Sequence, residues 1–193
     1  MALNYYILDT ETTGLKAGYH EIVQISVIRC NDKFQKTLNV RAEFPNHASK
    51  EALAITKKTI ADLYKGIDRI DAVTQLTEFL EEDEKSSEHR CIVAHNGSFD
   101  RRFLHAMYET SGKKFPADLW LCTKEFSRKL AKKMGVEKPK LTLAASLERA
   151  GVPAKTGAHN AVIDTLNTYN LWNKLMDEQL GHVQLIKRVP HDF

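Results

Sequence analysis

The order of strand-like and helix-like segments constrains the fold of this chain more than any other feature of the sequence. Strand-like runs come first, at residues 5–8, 22–28 and 34–40; they are apolar and aromatic, or they alternate between apolar and polar side chains. The polar connection Asn31-Asp32 between the second and third runs favours an antiparallel hairpin. Two further strand-like runs, at 91–94 and 119–122, then alternate with helical patterns. This order predicts an α/β protein in which a strand meander precedes alternating strands and helices around a mixed sheet.

The spacing of apolar residues predicts the remaining elements. It is helical over about 50–80, and the charged stretch 81–88 that follows is predicted to be a loop. Further helices are predicted at about 99–112, 124–134, 142–150 and 160–178. For the last helix we expect an inner face made of Ile163, Leu166, Tyr169, Asn170 and residues 171–175.

The composition limits the class of protein. A length of 193 residues suits one domain, and 42% hydrophobic with 27% charged residues excludes a disordered chain. Three widely spaced cysteines without a C-x-x-C pair argue against a disulfide framework or a cysteine zinc site, and they suit a reducing compartment. No apolar run approaches a membrane span, and the N-terminus lacks a basic signal-peptide region. We therefore expect a cytoplasmic protein with one domain at 1–180 and a tail at 181–193 that packs on it or docks a partner.

The charge is unevenly distributed along the chain. Residues 1–112 contain 14 basic and 17 acidic residues, whereas residues 113–193 contain 14 and 8. Seven of the basic residues lie between Lys124 and Lys140. This distribution is compatible with a polyanionic partner, and equally with a solvated helix face.

Acidic residues occur where several of the apolar elements begin or end. Asp9 and Glu11 follow the first strand, and residues two apart in an extended chain point to the same face. Asp100 begins a predicted helix, and Asp164 lies near the start of the last helix, five residues after His159. Taken singly, each has an ordinary explanation as a solvated acid, an acid favoured by a helix dipole or a surface histidine.

Taken together, the four acidic residues predict a metal centre. Carboxylates are hard oxygen donors, which select Mg²⁺ or Mn²⁺ rather than zinc. Two such ions roughly 4 Å apart can hold the attacking and leaving oxygens of a phosphoryl displacement. A neutral histidine beside the cluster would be suited to deprotonate the attacking water.

Three segments of the chain carry a resemblance to a known family. In order they are Asp9-Thr10-Glu11-Thr12-Thr13-Gly14-Leu15, then residues 94–104 (A-H-N-G-S-F-D-R-R-F-L), then residues 159–164 (H-N-A-V-I-D). They closely resemble the three exonuclease motifs of the DnaQ-like (DEDDh) 3′–5′ exonucleases, and the resemblance extends over residues 4 to about 176. The first motif is most similar to that of the proofreading epsilon-subunit branch of bacterial DNA polymerase III.

The resemblance implies a fold, a reaction and a set of roles. The fold would be ribonuclease H-like, with a five-stranded mixed sheet flanked by helices. The reaction would release nucleoside 5′-monophosphates from single-stranded 3′ ends. The implied ligands of two Mg²⁺ or Mn²⁺ ions are Asp9, Glu11, Asp100 and Asp164, and the implied general base is His159. The residues implied to contact the substrate are Thr12, Thr13, Gly14, Asn96 and Phe99.

One segment departs from the family pattern. Many proofreading members have a V-H-G-I-T-like sequence that touches the terminal base, whereas this chain has Ile55-Thr56-Lys57-Lys58-Thr59. Lys57 and Lys58 are therefore candidates to contact phosphate oxygens, or they are simply exposed helix charges. How the 3′ base would be recognised is open at this point.

Three functions fit the sequence. The leading one is an exonuclease that prefers DNA, acting alone or beside a DNA polymerase. An alternative within the same chemistry is an exoribonuclease of the ribonuclease T or oligoribonuclease kind. An alternative from another class is a catalytically silent nucleic-acid-binding module, which would be expected to lack one of the five residues above, yet all five are present.

Overall fold

The computed structural model describes residues 3–83, 86–157 and 159–177, and its centre is one five-stranded sheet. The strands lie in the order β3-β2-β1-β4-β5. β1 is antiparallel to β2 and parallel to β4, so the predicted mixed sheet is confirmed. The strands are β1 (Asn4–Thr12), β2 (Ile22–Arg29), β3 (Phe34–Asn39), β4 (Arg90–Ala94) and β5 (Leu119–Cys122).

The helices cover both faces of the sheet. They are α1 (Lys50–Thr56), α2 (Ile60–Leu63), α3 (Arg69–Glu81), α4 (Ser98–Glu109), α5 (Thr123–Lys133), α6 (Leu143–Arg149) and α7 (Ala161–Asp177). Apolar residues of α3 and α4 pack on one face with Tyr6 and Leu8 of β1. Those of α5, α6 and α7 pack on the other face with Ile7. Because side chains alternate along a strand, the uninterrupted apolar run of β1 supplies both layers of the core.

The helical pattern at 50–80 is divided into three helices. α1 ends at Lys57, which has a left-handed backbone (φ +55°). Thr59 then caps α2 by accepting a hydrogen bond from the Asp62 amide, and Asp68 caps α3 in the same way through Asp71. Side-chain caps of this kind satisfy amides at a helix start and so favour a new helix over continuation of the old one.

The buried face of α7 differs from the prediction. Leu171 and Leu175 are buried as expected, and Leu166 and Tyr169 are partly buried but pack against the core, whereas Ile163 and Asn170 are only partly buried. The buried face begins instead with small and polar residues: Ala161, Thr165, Asn167 and Thr168. Thr165 Oγ1 donates hydrogen bonds to carbonyl oxygens of Ser26 and Ala161, which lets a polar side chain lie against β2. A pattern of apolar residues alone cannot detect such a face.

Two expectations concern other parts of the chain. The predicted tail at 181–193 lies outside the described residues. Over the ranges that the structure describes, no helix is both long enough and apolar enough to cross a membrane.

Candidate active site

Three acidic residues meet at the carboxyl end of β1. Asp9 and Glu11 lie on that strand, and Asp164 lies in the first turn of α7. One carboxylate oxygen from each lies within 4.8 Å of the others. α7 is fixed in this position partly by Gln24 of β2, whose Oε1 accepts a hydrogen bond from the Ala161 amide at 3.0 Å. A strand end and a helix start therefore bring together residues more than 150 positions apart.

Asp100 is held beside these three residues by the backbone and side chain of Thr10. Its Oδ1 accepts a hydrogen bond from the Thr10 amide at 3.1 Å and another from Thr10 Oγ1 at 2.8 Å. The residue lies in the first turn of α4 and is only 3% exposed. The negative charge of Asp100 repels that of Asp9 and so contributes to raising the pKa of Asp9.

The pKa values of the four carboxyl groups are all raised. Burial raises the pKa of Glu11 to about 7, with repulsion from Asp164 adding to it and attraction by Lys58 opposing it. Burial likewise raises the pKa of Asp100 to about 7, against the two hydrogen bonds from Thr10. The pKa of Asp9 lies well above its usual value because the group is buried and faces Asp100, Glu11 and Asp164. Burial also raises the pKa of Asp164. Ionising the whole cluster is therefore costly unless a cation compensates the negative charge.

His159 lies at the entrance to α7, next to Asp164. Its amide donates a hydrogen bond to Asp164 Oδ2 at 2.9 Å, and its backbone is left-handed with φ +63°. The residue is exposed, so its ring is accessible to solvent. The proximity of His159 lowers the pKa of Asp164, against the rise that burial causes. The predicted base therefore lies at the rim of the carboxylate cluster and is joined to one of its members through the backbone.

The predicted substrate residues after Glu11 form a tight turn. Thr12 Oγ1 donates to the Gly14 carbonyl at 2.6 Å, and the Thr13 amide donates to the Glu21 carbonyl at 2.8 Å. A Cβ on Gly14 would lie 2.3 Å from the ring of His20, so any other residue here would force that ring to move. The turn therefore follows the carboxylates directly and has little freedom to move.

Other predicted substrate residues differ in their placement. Asn96 is exposed with φ +71°, and its Oδ1 accepts a hydrogen bond from Lys124 Nζ at 3.2 Å. Phe99 is partly buried and packs on Phe103 with 4.7 Å between ring centroids. Of the two lysines, Lys58 is close enough to lower the pKa of Glu11, whereas Lys57 is exposed at the end of α1.

Two residues that position the site were not predicted from the sequence. Thr10 separates the two acids of the first motif, and its role in holding Asp100 was detectable only as a hydroxyl between two acids. His95 links the loop after β4 to two later segments: Nδ1 lies 2.9 Å from Thr123 Oγ1, and Nε2 lies 2.9 Å from the Leu141 carbonyl oxygen. Burial lowers the pKa of His95, against the hydrogen bond to the Leu141 carbonyl, which raises it. No spacing rule could have identified this bridge, because its partners are 28 and 46 residues away.

The residues fit a hard divalent cation. Three carboxylate oxygens within 4.8 Å of one another, with a fourth carboxylate beside them, match the oxygen-rich sites of Mg²⁺ and Mn²⁺. The raised pKa values are an independent indication, since a bound cation would favour the ionised forms. No nitrogen or sulfur ligand belongs to this group among the described residues, and this favours the hard cations over zinc.

Comparison with known proteins gives a consistent result. A family model described as "Exonuclease" (RNase_T) matches residues 6–172. The DNA polymerase III PolC-type of Staphylococcus epidermidis (strain ATCC 35984) is 27% identical over an alignment 198 positions long, which covers 97% of this chain and 13% of that protein. The chain thus spans about an eighth of the length of this polymerase.

Solved structures show the same fold. Exonuclease X in complex with 5′ overhanging duplex DNA matches at 26% identity and a TM-score of 0.64, covering 90% of this chain and 92% of that one. The nuclease domain of 3′hExo, a DEDDh family member bound to rAMP, matches at 14% identity and a TM-score of 0.74, covering 96% and 97%. These matches confirm the expected ribonuclease H-like arrangement of sheet and helices.

Proposed function

This chain belongs to the exonuclease family, whose model covers residues 6–172. We propose that it is a 3′–5′ exonuclease of the DEDDh type, which releases nucleoside 5′-monophosphates from single-stranded 3′ ends with the help of two divalent ions. The observation that carries the proposal is the convergence of Asp9, Glu11 and Asp164 at the carboxyl end of β1, with Asp100 beside them. Four acids, of which Glu11 and Asp100 are buried and Asp9 and Asp164 partly buried, are costly for a fold that does not use them.

The proposed roles follow from the position of each residue. Asp9, Glu11, Asp100 and Asp164 would hold two Mg²⁺ or Mn²⁺ ions. Such ions, when bound, lower the pKa of water and stabilise the charge on the attacking and leaving oxygens. Thr10 keeps Asp100 oriented by two hydrogen bonds.

His159 is proposed as the general base. Its ring is at the solvent-exposed rim, where a neutral imidazole can accept the proton of the attacking water and pass it to bulk solvent. The backbone hydrogen bond to Asp164 ties the position of the base to that of a proposed ligand. Because the His159 backbone makes this bond, replacing the imidazole leaves the donor to Asp164 in place.

The substrate would enter beside the turn after β1. Thr12, Thr13 and Gly14 would present backbone groups to the terminal nucleotide, and Lys58 would meet a phosphate near Glu11. Asn96 and Phe99, at the start of α4, would contact the same nucleotide from the other side. Lys57 would reach the substrate only from the exposed end of α1.

DNA is proposed as the favoured polymer, and a DNA polymerase as a partner. The support is the form of the first motif and the similarity to PolC-type polymerases, of which this chain covers about an eighth. Residues 1–180 would form the catalytic domain, with 181–193 available as a packing or docking tail. The three free thiols Cys30, Cys91 and Cys122 suit the cytoplasm.

The test is a comparison of matched oligonucleotides. We expect 5′-labelled single-stranded DNA to be shortened one nucleotide at a time with Mg²⁺ or Mn²⁺, more slowly for RNA of the same sequence, and not at all with excess chelator. Ca²⁺ should bind without supporting turnover, because its longer and looser coordination misplaces the attacking water. Asp164→Asn is the inactive control. Faster RNA shortening would favour the exoribonuclease alternative, and binding without shortening would favour the silent module.

A further inference from the structure

Three rings form an exposed stack beside the turn after β1. Tyr19 and His47 are stacked with centroids 4.3 Å apart and planes 8° apart. Phe44 stacks on His47 at 5.3 Å and 15°. Tyr19 is 45% exposed and Phe44 is 55% exposed, so the stack is far from being buried. We refer to Tyr19, His47 and Phe44 as the aromatic stack.

The aromatic stack is attached to the active-site turn. The Thr13 amide donates to the Glu21 carbonyl, and the Ser49 amide donates to the Thr13 carbonyl, both at 2.8 Å. The side chain of Glu21 accepts hydrogen bonds from the amides of Glu43 and Phe44. The segment that carries Tyr19 and the segment that carries Phe44 and His47 are therefore both hydrogen-bonded to Thr13, two positions after Glu11. The aromatic stack lies at the same end of the strands as the carboxylates, because Ile22 at the start of β2 pairs with Thr12 at the end of β1.

The charges around the stack are suited to a polyanion. Lys16 Nζ lies 5.7 Å from the centre of the Tyr19 ring. A cavity of about 110 Å³ is lined by Tyr19 and Phe44 together with Arg41 and Arg69. The acidic side chains here are already engaged, since Glu21 accepts two backbone amides and Glu43 pairs with Arg69 at 3.2 Å.

We propose that the aromatic stack binds unpaired bases of the substrate upstream of the scissile linkage, with Lys16 and Arg41 contacting the adjoining phosphates. This inference rests on the proposed exonuclease function and extends it to a second contact surface. Single-strand-binding surfaces combine aromatic faces for the bases with basic side chains for the backbone, and stacking accepts every base. The stack would therefore favour longer single strands without selecting their sequence.

The experiment measures how KM depends on substrate length. Single-stranded oligonucleotides of two to ten nucleotides are digested by the wild type and by the double variant Tyr19→Ala/Phe44→Ala. For the wild type, KM should fall once the strand is long enough to reach the stack. In the double variant the decrease in KM with substrate length should be smaller by a factor of about 5 to 150, which corresponds to the contribution of one stacked base.

The matched control is Phe34→Ala. Phe34 is 56% exposed, nearly the same as Phe44, but it begins β3 opposite Arg29 at the other end of the hairpin. It should leave the length dependence unchanged. Thermal unfolding of each variant identifies a failure to fold, and the single variants Tyr19→Ala and Phe44→Ala replace the double variant if it is unstable.

A spectroscopic measurement gives an independent readout. 2-Aminopurine placed at successive positions upstream of the 3′ end, bound in Ca²⁺, should be quenched at one register by the wild type and not by the double variant. Wild-type length dependence in the double variant would overturn the inference while leaving the exonuclease function intact. An equal rise in KM on dinucleotides and decamers would also overturn it, because the stack would then act on the catalytic turn. Absence of wild-type activity on every length would instead refute the proposed function.

Discussion

Replacing Asp100 with Asn should stabilise the metal-free protein while abolishing its activity. The substitution removes a charge that is buried against like charges, and it keeps the shape of the side chain. The oxygen of Asn can still accept the two hydrogen bonds that Thr10 donates to Asp100. The fold is therefore relieved of a repulsive charge while its hydrogen bonds remain, whereas the proposed metal site is deprived of a ligand.

The size of the effect follows from the raised pKa. The pKa of Asp100 is about 7 in the folded protein, against 3.8 in the unfolded chain. Each unit of difference between the folded and unfolded pKa is worth about 1.4 kcal/mol, so the ionised carboxylate lowers the free energy of unfolding by at most roughly 4 kcal/mol at pH 8. Relaxation and water entry in a metal-free site reduce this cost, and we expect a gain of about 2–4 kcal/mol in the free energy of unfolding.

The stability of the metal-free protein should also depend on pH. The pKa of Asp100 is raised, so the folded state binds more protons than the unfolded state between about pH 4 and pH 7. The stability of the metal-free wild type should therefore fall as the pH rises through this window and should level off above it. The advantage of the Asn variant should be less than half as large at pH 5 as at pH 8.

Urea unfolding in chelator at pH 5 and pH 8 measures this directly, with Asp71→Asn as the control. Asp71 is exposed on α3, and its substitution should change stability by no more than about 0.5 kcal/mol at either pH. Adding Mn²⁺ should then raise the stability of the wild type more than that of Asp100→Asn. If Asp100→Asn destabilises the metal-free protein at pH 8, Asp100 is not a buried, repelled carboxylate.

Three further predictions concern the base, the basic helix and the turn. His159→Ala should lower kcat by about 10²- to 10⁴-fold while calorimetric Mn²⁺ affinity stays near the wild-type value; unchanged turnover would exclude His159 as the base. Three exposed lysines of α5 are Lys129, Lys132 and Lys133. Neutralising them should reduce the steepness of log affinity against log salt concentration by about 0.7 for each phosphate contact that is lost. An unchanged slope would assign these lysines to a solvated helix face. Gly14→Ala should cost about 1–3 kcal/mol in urea unfolding because its Cβ meets the His20 ring, and a His20→Ala background should remove most of that cost.

The sheet and the acidic residues were predictable from the sequence because they depend on local patterns. Apolar runs marked β1 and β4 as buried strands, and the motif order placed Asp9, Glu11, Asp100 and Asp164 at the ends of elements. What local patterns could not provide is the set of hydrogen bonds that fixes these groups. Gln24 fixes the start of α7 from 137 residues away, and no periodicity carries that information.

The departures from prediction have the same origin. The buried face of α7 can include Thr165 because β2 offers the Ser26 backbone carbonyl as an acceptor at that point, which is a tertiary effect. The break at Lys57 depends on a left-handed backbone that lysine rarely adopts, so the apolar spacing indicated a helix where the chain turns. Both departures lie close to the site, at α7 beside Asp164 and at the turn beside Lys58.

The cost of the acidic cluster explains why its surroundings are so heavily hydrogen-bonded. Four carboxyl groups with raised pKa values destabilise the metal-free fold, and each can relieve the repulsion by moving towards water. Thr10 holds Asp100 against that movement, and the His159 amide holds Asp164. These bonds hold Asp100 and Asp164 in place, so the proposed cation would not need to supply the energy to gather its ligands. Removing the hydrogen bond from Thr10 Oγ1 to Asp100 should therefore lower metal affinity, even though Thr10 has no proposed contact with the metal. The free energy needed to assemble the ligands would then be subtracted from the binding free energy.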